Sequence, residues 1–205
     1  MNRSEFFNSW SRLHGNAKIS GIVKGWLTIS FWLVKPLAKL RVTPNILTIF
    51  GLFFGVLLYL NALSAWAVAL LTLSLLCDGI DGSLAIITGK SSKWGAVLDS
   101  VVDRITELFW ALTYISLGAN QNVVIAALLI ASIQEYLRAR VGGLGLRDVG
   151  VVTISERPVR ASILFVAIIA HLINLEIVNL LSLIWLIMQS ISLLSVTKFA
   201  FKKLN

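Results

Sequence analysis

Six apolar stretches, at roughly 43–62, 65–88, 94–117, 121–141, 157–174 and 177–198, take up most of this chain. Each approaches the roughly 20 residues that a helix needs to cross a ~30 Å hydrocarbon layer. In lipid, only helices and closed barrels satisfy their own backbone polar groups. The stretches are long and do not alternate apolar with polar residues, as barrel strands do. The expected fold is therefore an all-α integral membrane protein with six transmembrane helices. Composition agrees, with 57% hydrophobic and 14% charged residues against about 25% charged in an average soluble domain. Mean hydropathy is +0.85.

Residues 20–40 differ from the six stretches. Lys24, Lys35 and Lys39 punctuate a run rich in Trp, Phe, Leu and Val. That pattern predicts an amphipathic helix lying on the membrane surface and interrupted near Pro36. The rival reading is a seventh span. Thr43-Pro44 then opens the first span, with proline at an early helical position. The expected organisation is an amino-terminal cytoplasmic segment over 1–42 and one six-span domain over 43–205. The single Cys77 excludes a disulfide within the chain, and the amino terminus lacks the pattern of a cleaved signal peptide.

Charge tests the span assignment. The formal net charge is +8, but the basic residues flank apolar segments and do not interleave with exposed aromatics. Anionic lipid headgroups are the expected partner, and nucleic acid is not. Under six spans, seventeen of the eighteen Lys and Arg residues fall on one side: before the first span, between spans two and three, around the gap between four and five, or at the end of the chain. The connections near 62–65, 117–121 and 173–177 contain none. The exception, Arg104, adjoins Asp103. By the positive-inside rule both termini are cytoplasmic, and a plasma-membrane location is expected.

Inside this apolar chain lie Asp78, Asp81, Asp99 and Asp103, four of its five aspartates. An ionised carboxylate in hydrocarbon costs several kcal/mol, so a compensating charge is needed. The six-span topology puts the first pair in the last third of span two and the second pair in the first third of span three. All four then converge at similar depth in the cytoplasmic half. The spacings i, i+3 and i, i+4 put each pair on one helix face. Hard oxygen ligands of this kind suit Mg²⁺ or Mn²⁺, and two such ions would clamp a diphosphate. Gly79, Gly82, Ala85, Gly95 and Ala96 let a bulky ligand approach the helix backbones, and they also serve plain helix packing.

The segment resembles the signature of the CDP-alcohol phosphotransferases, D-x-x-D-G-x-x-A-R, eight residues, then G-x-x-x-D-x-x-x-D. Here it reads Asp78-Gly-Ile-Asp81-Gly82-Ser-Leu-Ala85-Ile86, eight residues, Gly95-Ala-Val-Leu-Asp99-Ser-Val-Val-Asp103. The resemblance implies transfer of a phosphatidyl group from a CDP-linked lipid, CDP-diacylglycerol, to an alcohol acceptor, with release of CMP in phospholipid biosynthesis. It implies that Asp78, Asp81, Asp99 and Asp103 ligate two metal ions, and that Asp103 is also the base toward the acceptor hydroxyl. It implies a nucleotide site of Asn45, Thr48, Asp78, Gly82, Ala85 and Gly95, and a homodimer. One position departs: the signature arginine is Ile86, which removes a bidentate donor that lysine does not imitate. Lys90, Lys93 and Arg104 are the nearby cations that could stand in.

Within residues 134–160, five arginines occupy the 23 positions from Arg138 to Arg160. Ordinary positive-inside flanking accounts for part of this. The functional reading is an anion pocket for a phosphorylated acceptor, since arginine offers phosphate paired donors. The segments Arg138-Ala-Arg140 and Glu156-Arg157-Pro158-Val-Arg160, with LDSVVDR around Asp99, resemble phosphatidylinositol-phosphate synthases. That resemblance implies Arg138, Arg157 and Arg160 as acceptor phosphate ligands, with inositol phosphate and glycerol phosphate both open. The whole chain resembles actinobacterial family members that share Leu13-His14-Gly15 and a non-Arg residue at position 86. His14 and His171 are isolated polar residues. Two other classes stay open at this level: a CDP-lipid-binding relative with weak catalysis, and a divalent-cation transporter.

Overall fold

The computed structural model describes residues 1–13, 15–145 and 151–204. Eight helices follow one another: α1 (Arg3–Leu13), α2 (Gly21–Lys39), α3 (Pro44–Leu60), α4 (Trp66–Thr88), α5 (Lys93–Ser116), α6 (Gln121–Gly143), α7 (Arg157–Leu172) and α8 (Val178–Leu204). No strand occurs among the described residues. Helices α3 to α8 coincide with the six apolar stretches, and α8 runs on past residue 198 to Leu204. By length and composition α4, α6 and α8 are each able to cross a membrane, and α2 with α3, bent by 110°, would count as a fourth, broken span. At 17 and 16 residues, α3 and α7 are shorter than the roughly 20 residues of a typical span. Helix α5 has 24 residues but carries Asp99, Asp103 and Arg104 in its first half and Glu107 just beyond.

The chain divides into two compact units, Met1–Phe54 with Thr72–Ile105, and Gly55–Leu71 with Thr106–Asn205. In the first unit α1 begins with a capping box. The Glu5 N–H donates to Asn2 Oδ1 at 2.9 Å, and the Asn2 N–H donates back to Glu5 Oε2 at 3.0 Å. The Asn2-Arg-Ser-Glu5 spacing was the sequence signal for this helix, which the apolar pattern alone misses.

Pro36 does not interrupt α2, contrary to expectation; it lies inside the last turn. The helix ends just beyond it. The Leu40 N–H reaches Pro36 O at 3.0 Å, and Arg41 takes the left-handed conformation with φ 58°. The chain then turns into α3, where Thr43 O accepts the first helical N–H groups, from Ile46 and Leu47.

Apolar burial fixes α2 against α3 and α4. Val34, Leu47, Ile80 and Leu84 form one buried cluster, and Ser83 Oγ donates to Ser30 Oγ at 3.1 Å within the same buried layer. Ser74 Oγ donates to Gly51 O at 2.7 Å. A Cβ at Gly51 would lie 3.3 Å from Ser74 O, so glycine allows this close crossing of α3 and α4.

In the second unit α6 packs along α8. Their buried faces meet polar group to polar group, with Gln189 Nε2 donating to Gln134 Oε1 at 2.9 Å. Tyr114 of α5 stacks on Trp185 of α8 with ring centroids 5.4 Å apart. Asn120 caps α6 by accepting the N–H groups of Asn122 and Val123.

Candidate active site

The first unit holds a cavity of about 610 Å³. Asn45 and Thr48 of α3, Asp78, Asp81, Gly82 and Ala85 of α4, and Gly95 and Asp99 of α5 all line it. All six residues expected to contact a nucleotide therefore face one space. Small side chains keep it open: a Cβ at Gly82 would meet nothing within 4 Å. Gly95 is constrained in the opposite sense, because its Cβ would stand 3.1 Å from Ser92 Oγ and 3.3 Å from Asn45 Oδ1. Ser92 is also the N-cap of α5, accepting the Gly95 N–H at 2.9 Å.

The four aspartates divide into three and one. Asp78, Asp99 and Asp103 are half-buried, and one carboxylate oxygen from each lies within 4.8 Å of the others. Asp81 is outside that group. It is 7% exposed, accepts the Thr48 hydroxyl at 2.5 Å and accepts its neighbour's Gly82 N–H at 2.6 Å. Three carboxylates so close repel one another, and a divalent cation offsets that repulsion. An all-oxygen set fits Mg²⁺ or Mn²⁺, as the sequence led us to expect. Asp103 does not line the cavity, and Arg104 Nη2 stands 3.9 Å from its Oδ2. Of the cations near the missing arginine, Lys90 lines the cavity and Lys93 does not.

The second unit holds Arg138, Arg157 and Arg160, each within 4 Å of a carboxylate. Arg138 of α6 meets Glu156 at 2.6 Å and Glu135 at 3.3 Å, and also donates to Val151 O at 2.9 Å. Burial works to raise the Glu156 carboxyl. Hydrogen bonds from Arg138 and Thr153 outweigh it, bringing the group from its ordinary 4.5 down to about 2. Arg160 of α7 is 3% exposed. It grips Glu107 through Nε at 3.1 Å and Nη2 at 2.5 Å, while Nη1 donates to Ser155 O at 2.6 Å. Arg157 Nε lies 3.8 Å from the same Glu107 oxygen, and its guanidinium sits over the Trp110 ring at 5.2 Å. A phosphate would have to displace Glu107 to reach Arg160.

Glu107 thus has a partner role that sequence reasoning missed. The available signal was its position four residues after Asp103. Arg140 is exposed, whereas Arg147 and His14 lie outside the described residues.

Comparison with known proteins identifies the family. The family model for CDP-alcohol phosphatidyltransferase matches residues 41–196. The phosphatidylinositol phosphate synthase of Corynebacterium glutamicum is 39% identical over 161 residues, covering 72% of this chain and 69% of that protein. The archaetidylinositol phosphate synthase of Pyrococcus horikoshii is 33% identical over 160 residues, covering 74% and 82%.

Two crystal structures of the Mycobacterium tuberculosis phosphatidylinositol phosphate synthase share the fold. The one in complex with manganese and citrate has a TM-score of 0.69 at 20% identity, covering 84% of this chain and 88% of that one. The one with CDP-DAG bound has a TM-score of 0.68 at 21% identity, covering 85% and 94%.

Proposed function

Because the chain belongs to the CDP-alcohol phosphatidyltransferase family, we propose that it moves the phosphatidyl group of CDP-diacylglycerol onto an alcohol and releases CMP. The observation that carries this reading is one cavity lined by all six expected nucleotide residues, with two of the three clustered carboxylates, Asp78 and Asp99, on its wall.

Asp78, Asp99 and Asp103 hold metal, and Asp81, oriented by Thr48, completes a site for two Mg²⁺ or Mn²⁺ ions. When bound, the metal supplies positive charge that holds the diphosphate and stabilises charge on the departing CMP. Asn45, Thr48, Asp78, Gly82, Ala85 and Gly95 accommodate the nucleotide. Asp103 takes the proton of the acceptor hydroxyl as its oxygen attacks the phosphatidyl phosphorus and the bond to CMP breaks.

The acceptor is itself phosphorylated, inositol phosphate or glycerol phosphate. The names of the relatives from C. glutamicum and P. horikoshii favour the former. Its phosphate is held by Arg138, Arg157 and Arg160, exchanging for Glu156 at Arg138 and for Glu107 at Arg157 and Arg160. The chain crosses the plasma membrane six times within residues 43–205 and works as a homodimer. Residues 1–42 lie at the cytoplasmic surface, with α2 as an interfacial helix, and both termini and the active site are cytoplasmic.

Purified protein given CDP-diacylglycerol, Mg²⁺ or Mn²⁺ and a panel of acceptors will release CMP with a phosphorylated one. Absence of release with every acceptor, from folded protein, would refute the reading, and CDP-lipid binding without release would leave a non-catalytic relative. Asp103→Asn abolishes turnover while preserving the fold; full activity in that variant removes Asp103 as the base.

A further inference from the structure

One wall of the 610 Å³ cavity comes from outside the family match. That match begins at residue 41, whereas Trp10, Leu13, Ile22, Val23, Trp26 and Leu27 belong to α1 and α2 and line the cavity. The wall is aromatic and aliphatic, and it shares the space with Asp78, Asp81 and Asp99.

Ile86, where the signature has arginine, joins this wall to the site. It is 8% exposed and packs with Phe6, Leu27 and Phe31, with Phe7 and Trp10 against the same cluster. Phe6 itself is fully buried. An arginine at position 86 would have to pass its long stem through these rings, where isoleucine packs them, before its guanidinium reached the cavity that Ile86 shares with Asp78, Asp81 and Asp99.

A second contact fixes α2. A Cβ at Gly79 would lie 2.6 Å from Trp26 Cζ2, so the Trp26 indole rests directly on the α4 backbone beside Asp78. Any other residue at position 79 would force that ring away.

We propose that α1 and α2 form a nucleobase wall, with Trp10 and Trp26 taking the flat face of the donor's cytosine ring and Ile86 anchoring the wall to α4. The proposal rests on the transferase reading above. Three features favour the base as the occupant. The carboxylates mark where the diphosphate goes. Gly82 and Ala85, with small side chains, leave a slot on the α4 side of the same space. Aromatic faces bind planar bases by stacking, whatever their hydrogen-bonding edge. Stacking on this wall then supplies donor affinity that the absent arginine does not.

The test uses the full chain in detergent or nanodiscs. CMP release by the wild type decides the transferase reading first. Given an active wild type, the donor KM and the inhibition constant of CMP, which carries no acyl chains, are measured for Trp10→Ala and Trp10→Phe. Trp10→Ala raises both by about tenfold, and Trp10→Phe recovers most of the loss. CMP also quenches part of the wild-type tryptophan fluorescence, and the quenching is smaller in Trp10→Phe, where only Trp26 remains to report, a measurement that survives if Trp10→Ala fails to fold.

Unchanged constants in Trp10→Ala, with equal quenching in Trp10→Phe, overturn the proposal. So does a rise in donor KM without a rise in the CMP constant, which assigns the wall to acyl chains. For the anchor, Ile86→Arg speeds trypsin cleavage after Arg12 and Lys18; unchanged cleavage removes Ile86 from that role.

Discussion

Two aspartates three residues apart on α4 have different fates, and one hydroxyl separates them. Asp78 joins the carboxylate cluster, whereas Asp81 is held by Thr48 at 2.5 Å. Thr48 is 4% exposed, so water does not replace it easily. Thr48→Val keeps the shape and removes the donor, leaving a buried carboxylate short of a partner. It will destabilise the protein by ~1–3 kcal/mol, read as a lowered thermal midpoint in detergent, while Thr48→Ser stays near wild type. An unchanged midpoint in the valine variant would show that the bond contributes nothing. The four aspartates were legible in the sequence because carboxylates at i, i+3 and i, i+4 in an apolar run have no cheap structural explanation. Their division was not legible, since it depends on a partner 33 positions away. Ile86 was visible only as an absence; the rings that surround it come from α1 and α2, and no local pattern joins them to α4.

At the scale of elements, apolar runs predicted α3 to α8 well because burial in lipid or protein demands the same long stretches. Helix α1 escaped that logic: it is short and polar, and its start is set by the Asn2–Glu5 box. Pro36 was over-read, because a proline in a last turn ends a helix a few residues later and does not break it. The start of α7 is tied to α6 through Glu156 and Arg138, and that tie titrates. The folded carboxyl sits at about 2 and its ordinary value is 4.5. A depressed group contributes stability that is fully present above the higher value and is lost as pH falls toward the lower one. Unfolding midpoints followed by intrinsic fluorescence will therefore decline between pH ~4.5 and ~2. In Glu156→Gln the decline over that window will be shallower, and a variant that tracks the wild type would exclude this pair as the cause.

For the molecule as a whole, the charge pattern and the helices bear on sidedness in different ways. Three helices qualify as spans by length and composition, or four with the bent pair, whereas the distribution of Lys and Arg calls for six crossings. The difference arises because α5 carries the carboxylates of the site and α3 and α7 are short; hydropathy penalises the very residues that the chemistry requires. Single cysteines in a Cys77→Ala background will resolve it. An impermeant thiol reagent added outside intact cells will label Ser64→Cys and Asn174→Cys and will leave Ser91→Cys unlabelled until the membrane is opened. Labelling of Ser91→Cys from outside would reject the six-crossing arrangement. The contact of Phe6 with Ile86 also orders events in time. The ribosome makes Phe6 80 residues before Ile86, on the order of 4–16 s at ~5–20 residues per second. Until then Phe6 can meet Leu27 and Phe31 but not the helix that completes its cover. A nascent chain stalled before α4 emerges therefore displays an aromatic face that the finished protein conceals.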